Sequence, residues 1–167
     1  MLSHYDNATL YNDSIVAQIV KRFQKQDAII IYVPDHGEEC YEENRGFICR
    51  NHSAEIDWPL AHYEFEIPFW IYCSPKYIRN HRDIYRQIRK AKDKRFMTDA
   101  LPHLLLYLAG IETPTYKEEY NILSPKYDEM RPRILKNSAD YDKLRDAHLE
   151  KIKKEESKKV KKKERRN

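Results

Sequence analysis

Apolar residues recur at helical spacing near the start of the chain. Leu10, Ile15, Val16, Ile19, Val20 and Phe23 fall on one stripe between residues 9 and 25, and Asp6 or Asn7 is positioned to cap that helix. The period then changes. Residues 28–33, AIIIYV, form a short β-branched run of the kind that makes a strand buried on both faces. Residues 34–64 carry no clean period and are rich in charge, so the pattern predicts a long loop, a feature that compact domains usually keep for function. A second buried strand follows at residues 66–74, EIPFWIYCS, with Pro68 near its start. Residues 75–92 read as a helix with Pro75 in its first turn. In FMTDALPHLLLYLAGI, Thr98 is placed as an N-cap, Leu101 to Leu108 carry an apolar face, and Gly110 stands where a helix-ending glycine belongs. Pro102 lies within the first turn, where proline is tolerated. Loop is expected from 112 to 135, with Pro114, Pro125 and Pro132, and then a charged helix runs into a basic tail.

Helix, strand, loop, strand, helix, helix is an α/β order, which predicts a parallel or mixed sheet covered by helices. Two strands are too few for a stable sheet of that kind. The chain therefore reads as one part of a larger α/β layer, a piece that needs a partner.

Composition sharpens this picture at the C-terminal end. Of the 167 residues, 35% are charged, and the whole chain carries +4. Residues 151–167 hold ten Lys/Arg against three Glu, a net of +7, which leaves about −3 for the remainder. The basic character belongs to the tail, which could touch nucleic acid or anionic lipid, or act simply as a solubilising end. Three cysteines, Cys40, Cys49 and Cys73, lack CxxC spacing and argue against a zinc ribbon or a disulfide framework; a Cys40–Cys49 pair remains open in an oxidising compartment. Glycine occurs only three times, and neither phosphate-cradling glycine motif is present. No run of about 20 apolar residues and no signal peptide is visible, so the chain as written is expected in the cytoplasm.

The chemistry concentrates where the first strand ends. In open α/β sheets ligands bind beyond the carboxyl ends of strands, and Asp35 and His36 occupy that place. A carboxylate beside an imidazole suits zinc or a mixed transition-metal site. Gly37 permits a tight turn or close approach of a substrate, and Glu38 and Glu39 are candidates for orienting the imidazole. His52 comes within reach if the loop folds back, and Arg45 and Arg50 are candidates for binding a phosphate or sulfate oxygen. The plain alternative is that Asp-His merely caps a turn.

AIIIYVPDHGEE, preceded by YDNATLYNDSIVAQIVKRF and followed by NHSAEI, YEFEIPFWIYCSPKY and FMTDALPHLLLYLAGI, resembles the C-terminal half of the sulfatase-like catalytic domain of phosphoethanolamine transferases, in the alkaline phosphatase superfamily. The resemblance covers about residues 4–135. It implies a partial α/β/α sandwich, the C-terminal half only, over residues 1–136, with a charged helical, partly disordered tail at 137–167. It also implies zinc, with Asp35 and His36 as two of its ligands and His52 as the catalytic histidine facing the transferred phosphate or the leaving group. The family attacks phosphorus with a zinc-activated threonine far upstream of this strand. Thr9 is the only threonine ahead of Asp35, and nothing here matches the nucleophile motif.

The implied activity is transfer of phosphoethanolamine to an envelope lipid or glycan, with sulfatase or phosphodiesterase chemistry as the near relative. An intact member is expected at the inner membrane facing the periplasm. The missing half of the catalytic domain is the implied partner, no nucleic acid is expected, and the segment alone is expected to be inactive. A non-catalytic half-domain that binds a partner chain is the alternative. Elsewhere, His103 on an apolar helix reads as a half-buried histidine bonded to a carbonyl, His62 as loop surface or a supporting residue, and the thirteen tyrosines as half-buried packing.

Overall fold

The computed structural model describes residues 2–49, 55–136 and 138–164. In chain order the first elements are α1 (Leu2–Phe23), β1 (Ile29–Tyr32), β2 (Glu39–Cys40), β3 (Phe47–Cys49), α2 (Trp58–Phe65) and β4 (Trp70–Cys73). There follow α3 (Pro75–Asn80), α4 (Arg82–Ala91), α5 (Leu101–Ala109), β5 (Ile134–Leu135), β6 (Ala139–Asp140) and α6 (Tyr141–Glu164). They form two compact units, Met1–Val33 with Pro68–Arg131, and Pro34–Ile67 with Pro132–Asn167.

In the first unit the two predicted strands pair with each other. The pairing is antiparallel, with Ile29 opposite Cys73 and Tyr32 opposite Trp70. The Tyr32 and Trp70 rings stack at 5.1 Å, the cross-strand aromatic pairing expected of opposed positions on one face. Ser74 ties the ends of this ribbon together. Its hydroxyl donates to the Gln26 carbonyl at 2.6 Å and accepts the Ala28 and Tyr77 amides at 3.3 and 3.0 Å. One buried side chain thereby joins the entry to β1, the exit from β4 and the N-terminus of α3. The cap of α3 is thus Ser74, with Pro75 in the first turn as the sequence suggests.

Three elements differ from the sequence reading for identifiable reasons. The first helix starts at Leu2, so Asp6 and Asn7 lie within it rather than at its cap. Helix 75–92 is broken at His81, whose φ of −124° and ψ of 50° leave the helical region. Asp27 holds that break, accepting from Asn80 Nδ2 at 2.7 Å and lying 3.3 Å from His81 Nε2. Thr98 opens a 3₁₀ turn, Thr98–Ala100, with no side-chain cap on the helix that follows. Gly110, in contrast, ends α5 in the left-handed conformation at φ 66°, and Ile111 N–H reaches back to the Leu106 carbonyl at 2.9 Å.

The core of the first unit gathers Ala91 and Leu104 with Ile122 and Leu123, flanked by Phe69, Ile71 and Phe96. The last two buried residues come from the segment expected as loop. Asn121 is fully buried there, donating to the Tyr116 hydroxyl at 2.9 Å and accepting the Leu123 amide at 3.1 Å. A loop that satisfies its own polar groups in this way can insert into a core. His103 accepts the Lys117 amide at 3.0 Å through Nδ1, so its partner is a backbone donor rather than a carbonyl. The predicted stripe of α1 is only partly covered: Leu10, Ile15 and Ile19 stand exposed.

The second unit packs α2 against the start of α6. Ile56, Leu60, Ala61, Leu135 and Tyr141 form its core, with Trp58 and Leu144 against them. Residues 34–64 are therefore not one loop. Their apolar residues are split between a short hairpin, β2 with β3, and the single-sided helix α2, so no window is long enough to show a period. Asp57 caps α2, accepting the Leu60 amide at 3.0 Å.

Replacing Ser74 with alanine removes a buried hydroxyl that serves three backbone groups. A loss of about 2 kcal/mol is expected, read as a lower urea midpoint with an unchanged slope.

Candidate metal-binding site at the Asp-His turn

Three residues after β1, Asp35 and His36 stand side by side. The His36 Nε2 and Asp35 Oδ2 atoms are 3.4 Å apart, with the Asp35 side chain 84% exposed and that of His36 24% exposed. His36 Nδ1 lies 2.8 Å from the Gly37 carbonyl. A carbonyl only accepts, so Nδ1 carries the proton. With Nδ1 so engaged, the other ring nitrogen, Nε2, faces the carboxylate and is the atom left for a cation. Two lone-pair donors facing one another at this spacing suit a shared cation, and a backbone carbonyl on the far nitrogen is how metal-binding imidazoles are commonly oriented.

Gly37 fixes the dipeptide in place. Its amide donates to the Glu64 carbonyl at 2.8 Å. A Cβ at position 37 would lie 2.2 Å from the Tyr63 carbonyl oxygen. The close approach that calls for glycine is thus made by the last turn of α2 and not by a substrate. No third donor completes the pair: among the described residues, no group of three His, Cys, Asp or Glu is assembled to hold a metal ion. The Asp35–His36 donor set fits zinc in kind and supplies half of a usual ligand number.

Other expected participants are placed differently. Arg50 and His52 lie outside the described residues, as does the side chain of Cys49. Arg45 lies between two carboxylates, with Nε 2.7 Å from Glu39 Oε1 and Nη1 2.5 Å from Asp57 Oδ2. Glu39 therefore faces Arg45, while the His36 ring is oriented by the Gly37 carbonyl. Glu39 is fully buried, and its contact with Arg45 is an ion pair without hydrogen-bond alignment. Its second oxygen meets no hydrogen-bond donor among the described residues. Burial pushes the Glu39 carboxyl up, and the attraction of Arg45 offsets this only in part. At Asp57 burial acts in the same direction, but the Leu60 amide and Arg45 outweigh it and hold that carboxyl below its usual range.

The hairpin carrying Glu39 is tightly turned. Tyr41, Asn44 and Gly46 all have left-handed backbone, at φ 69°, 61° and 84°. The Cys40 amide donates to the Glu42 carboxylate, and Tyr41 N–H donates to the Gly46 carbonyl at 2.9 Å. The clasp of Glu39, Arg45 and Asp57 was hidden in the sequence because only this hairpin brings its members together.

A second polar cluster was also hidden. Glu66 accepts the Tyr141 hydroxyl and lies 2.9 Å from His62 Nδ1, so His62 belongs to α2 and not to a loop surface. Burial and then Glu66 push the Tyr141 hydroxyl up to about 12. At Glu66 burial pulls upward, but the Tyr141 and His62 contacts prevail and lower it. Trp58 stacks with both His62 and His148, at 5.4 and 5.1 Å.

The charge clasp has a pH signature. The folded Glu39 carboxyl titrates above its ordinary 4.5, so the folded chain holds that proton more strongly than the unfolded chain. Its contribution to stability is therefore greatest at acidic pH and falls as pH rises above 4.5 through the folded value. Arg45→Met leaves Glu39 buried without its counter-charge, and a loss of about 3 kcal/mol is expected at neutral pH. The same variant loses less at acidic pH, where a protonated Glu39 no longer needs the counter-charge; denaturant midpoints at neutral and acidic pH measure the difference. Gly37→Ala should displace the turn from α2 and separate Asp35 from His36, visible as altered His36 ring signals in NMR spectra.

Known proteins resemble this chain over most of its length. The family model for sulfatases matches residues 1–111. The phosphoethanolamine transferase EptC of Escherichia coli O18:K1:H7 (strain RS218 / NMEC) is 32% identical over 128 residues, 75% of this chain and 21% of that protein. The Kdo(2)-lipid A phosphoethanolamine 7''-transferase of E. coli strain K12 is 29% identical over 98 residues, 57% of this chain and 16% of that protein. The chain spans about a fifth of the length of the EptC relatives it matches. Among solved structures, the C-terminal periplasmic domain of EptC from E. coli in complex with Zn superposes with a TM-score of 0.66 at 30% identity, covering 84% of this chain and 39% of that one. A second crystal structure of the same domain gives 0.65. The chain thus belongs to the sulfatase family and shares the mixed α/β fold of a phosphoethanolamine transferase's C-terminal periplasmic domain.

Proposed function

We propose that this chain is part of a zinc-dependent phosphoethanolamine transferase acting on an envelope lipid or glycan, and that Asp35 and His36 supply two of its metal ligands. The observation that carries this reading is the facing pair of donor atoms at 3.4 Å, beside a strand end that matches a family with a zinc-bound solved member. Bound zinc would supply Lewis acidity toward a phosphoryl oxygen. The residues of this chain would hold and orient it: the Gly37 carbonyl sets the His36 tautomer, and the Glu64 carbonyl anchors the turn. His52 remains the candidate for stabilising charge on the transferred group or protonating the leaving oxygen, with Arg50 beside it as a phosphate contact. Arg45 was an equal candidate from sequence. Its two carboxylate partners favour a structural role in holding the hairpin.

The nucleophilic threonine and the remaining metal ligands would come from a segment other than residues 1–167. Two features support a domain completed from elsewhere. Among the described residues the β1–β4 ribbon has two strands, and the apolar stripe of α1 presents Leu10, Ile15 and Ile19 to solvent. Among the described residues no helix is long and apolar enough to cross a membrane. Placement of the intact protein at the inner membrane, with this segment on the periplasmic side, follows from the same family reading. The same uncovered surfaces also favour the second reading, a non-catalytic half-domain whose role is to bind a partner chain.

Zinc titration of residues 1–167 by calorimetry separates the readings. Weak binding is expected, lost on Asp35→Asn and on His36→Ala. Turnover of a phosphodiester substrate should not exceed that of the Asp35→Ala chain, because the covalent step has no nucleophile here. Zinc affinity indifferent to both substitutions would overturn the metal assignment, and measurable Asp35-dependent turnover would overturn the divided site.

A further inference from the structure

The distal half of α6 is strongly charged and takes no part in the site. Every residue from 149 to 159 is exposed. The family match ends at residue 111, so this helix is outside what the family model accounts for. Between residues 151 and 164 there are eight Lys and three Glu.

Their order along the helix is not uniform. At about 100° per residue, Lys151, Lys154, Lys158, Lys161 and Lys162 fall within an arc of about 100°, and Glu155, Glu156 and Glu164 all fall outside it. The acids are off the stripe, so the stripe is a continuous line of positive charge some three turns long. Lys154 lies 3.6 Å from Glu150, an exposed pair that screens little of this charge. Positions 154, 158 and 162 are lysines four apart, and such like-charge neighbours weaken an isolated helix. A negatively charged surface would relieve the repulsion.

We propose that this stripe is an electrostatic docking surface for an anionic lipid bilayer. Ile152 and Val160 are the only apolar residues between 150 and 164, and both lie off the lysine stripe. The helix therefore adsorbs by charge and does not insert. A lipid surface fits better than nucleic acid, because no Phe, Trp or Tyr follows Tyr141 and no ring lies within residues 149–167 to stack on bases. The lipid setting rests on the transferase reading above, but the stripe itself does not involve Asp35 or His36.

Co-sedimentation of the 167-residue chain with vesicles tests this. One set is phosphatidylcholine alone; the other contains about one lipid in three as phosphatidylglycerol. Binding to the anionic set should be at least about tenfold tighter, should disappear at molar salt, and should raise helix content by circular dichroism. The stripe variant Lys151→Glu, Lys154→Glu, Lys158→Glu should lose at least about tenfold, since each basic residue reaching the surface is worth about fivefold. The variant Lys153→Glu, Lys159→Glu, Lys163→Glu has the same net charge and should lose distinctly less. Equal losses in the two variants, equal binding to both vesicle sets, no binding, or tighter binding to duplex DNA at matched salt would each overturn the proposal. Asp35→Asn should leave vesicle binding unchanged, so failure of the zinc reading and failure of this one are distinguishable.

Discussion

The hydrogen bond from the Gly37 amide to the Glu64 carbonyl, made at a distance that leaves no room for a Cβ, is the constraint on which the candidate site depends. It fastens the turn after β1 to the last turn of α2. With Gly37 fixed, its carbonyl accepts a hydrogen bond from His36 Nδ1 and turns Nε2 toward Asp35. α2 is in turn held by the Asp57 cap and by packing of Leu60 and Ala61 in its core. The chain of cause thus runs from apolar burial in one helix, through a backbone hydrogen bond, to the orientation of a donor atom.

The carboxylates of this region divide by environment. Asp35 is exposed beside an imidazole, which suits a group that binds a cation. Glu39 is sealed away and shares one guanidinium with Asp57. A single cation between two carboxylates cannot satisfy both equally. Asp57 also receives the Leu60 amide and is held low, whereas Glu39 has only the ion pair and is pushed up. The clasp fixes the hairpin that begins two residues beyond Gly37, so Arg45 stabilises the scaffold in the position where a phosphate contact was anticipated from charge alone.

Among the described residues the β1–β4 ribbon has two strands, and the α1 stripe leaves Leu10, Ile15 and Ile19 uncovered. Monomeric domains seldom leave an apolar helix stripe in water. This chain matches about two-fifths of a solved periplasmic domain. The basic half of α6 lies outside the family match and is governed by charge rather than packing.

The sequence by itself determined the elements whose signal is local: the two β-branched runs, the apolar face of α5 with its Gly110 stop, the charged final helix, and the Asp-His pair at a strand end. The family resemblance rested on the same local runs. Tertiary structure alone decided how these were joined. Strand direction was not legible, because AIIIYV and FWIYC look alike in parallel and antiparallel pairs. The hairpin and α2 were not legible, because each is shorter than the window a period needs. The ion pairs of Arg45, the burial of Ile122 and Leu123, and the bond from Tyr141 to Glu66 join different elements of the fold. Such pairings are set by which backbone groups must be satisfied once the core closes, and that requirement has no trace in residue order.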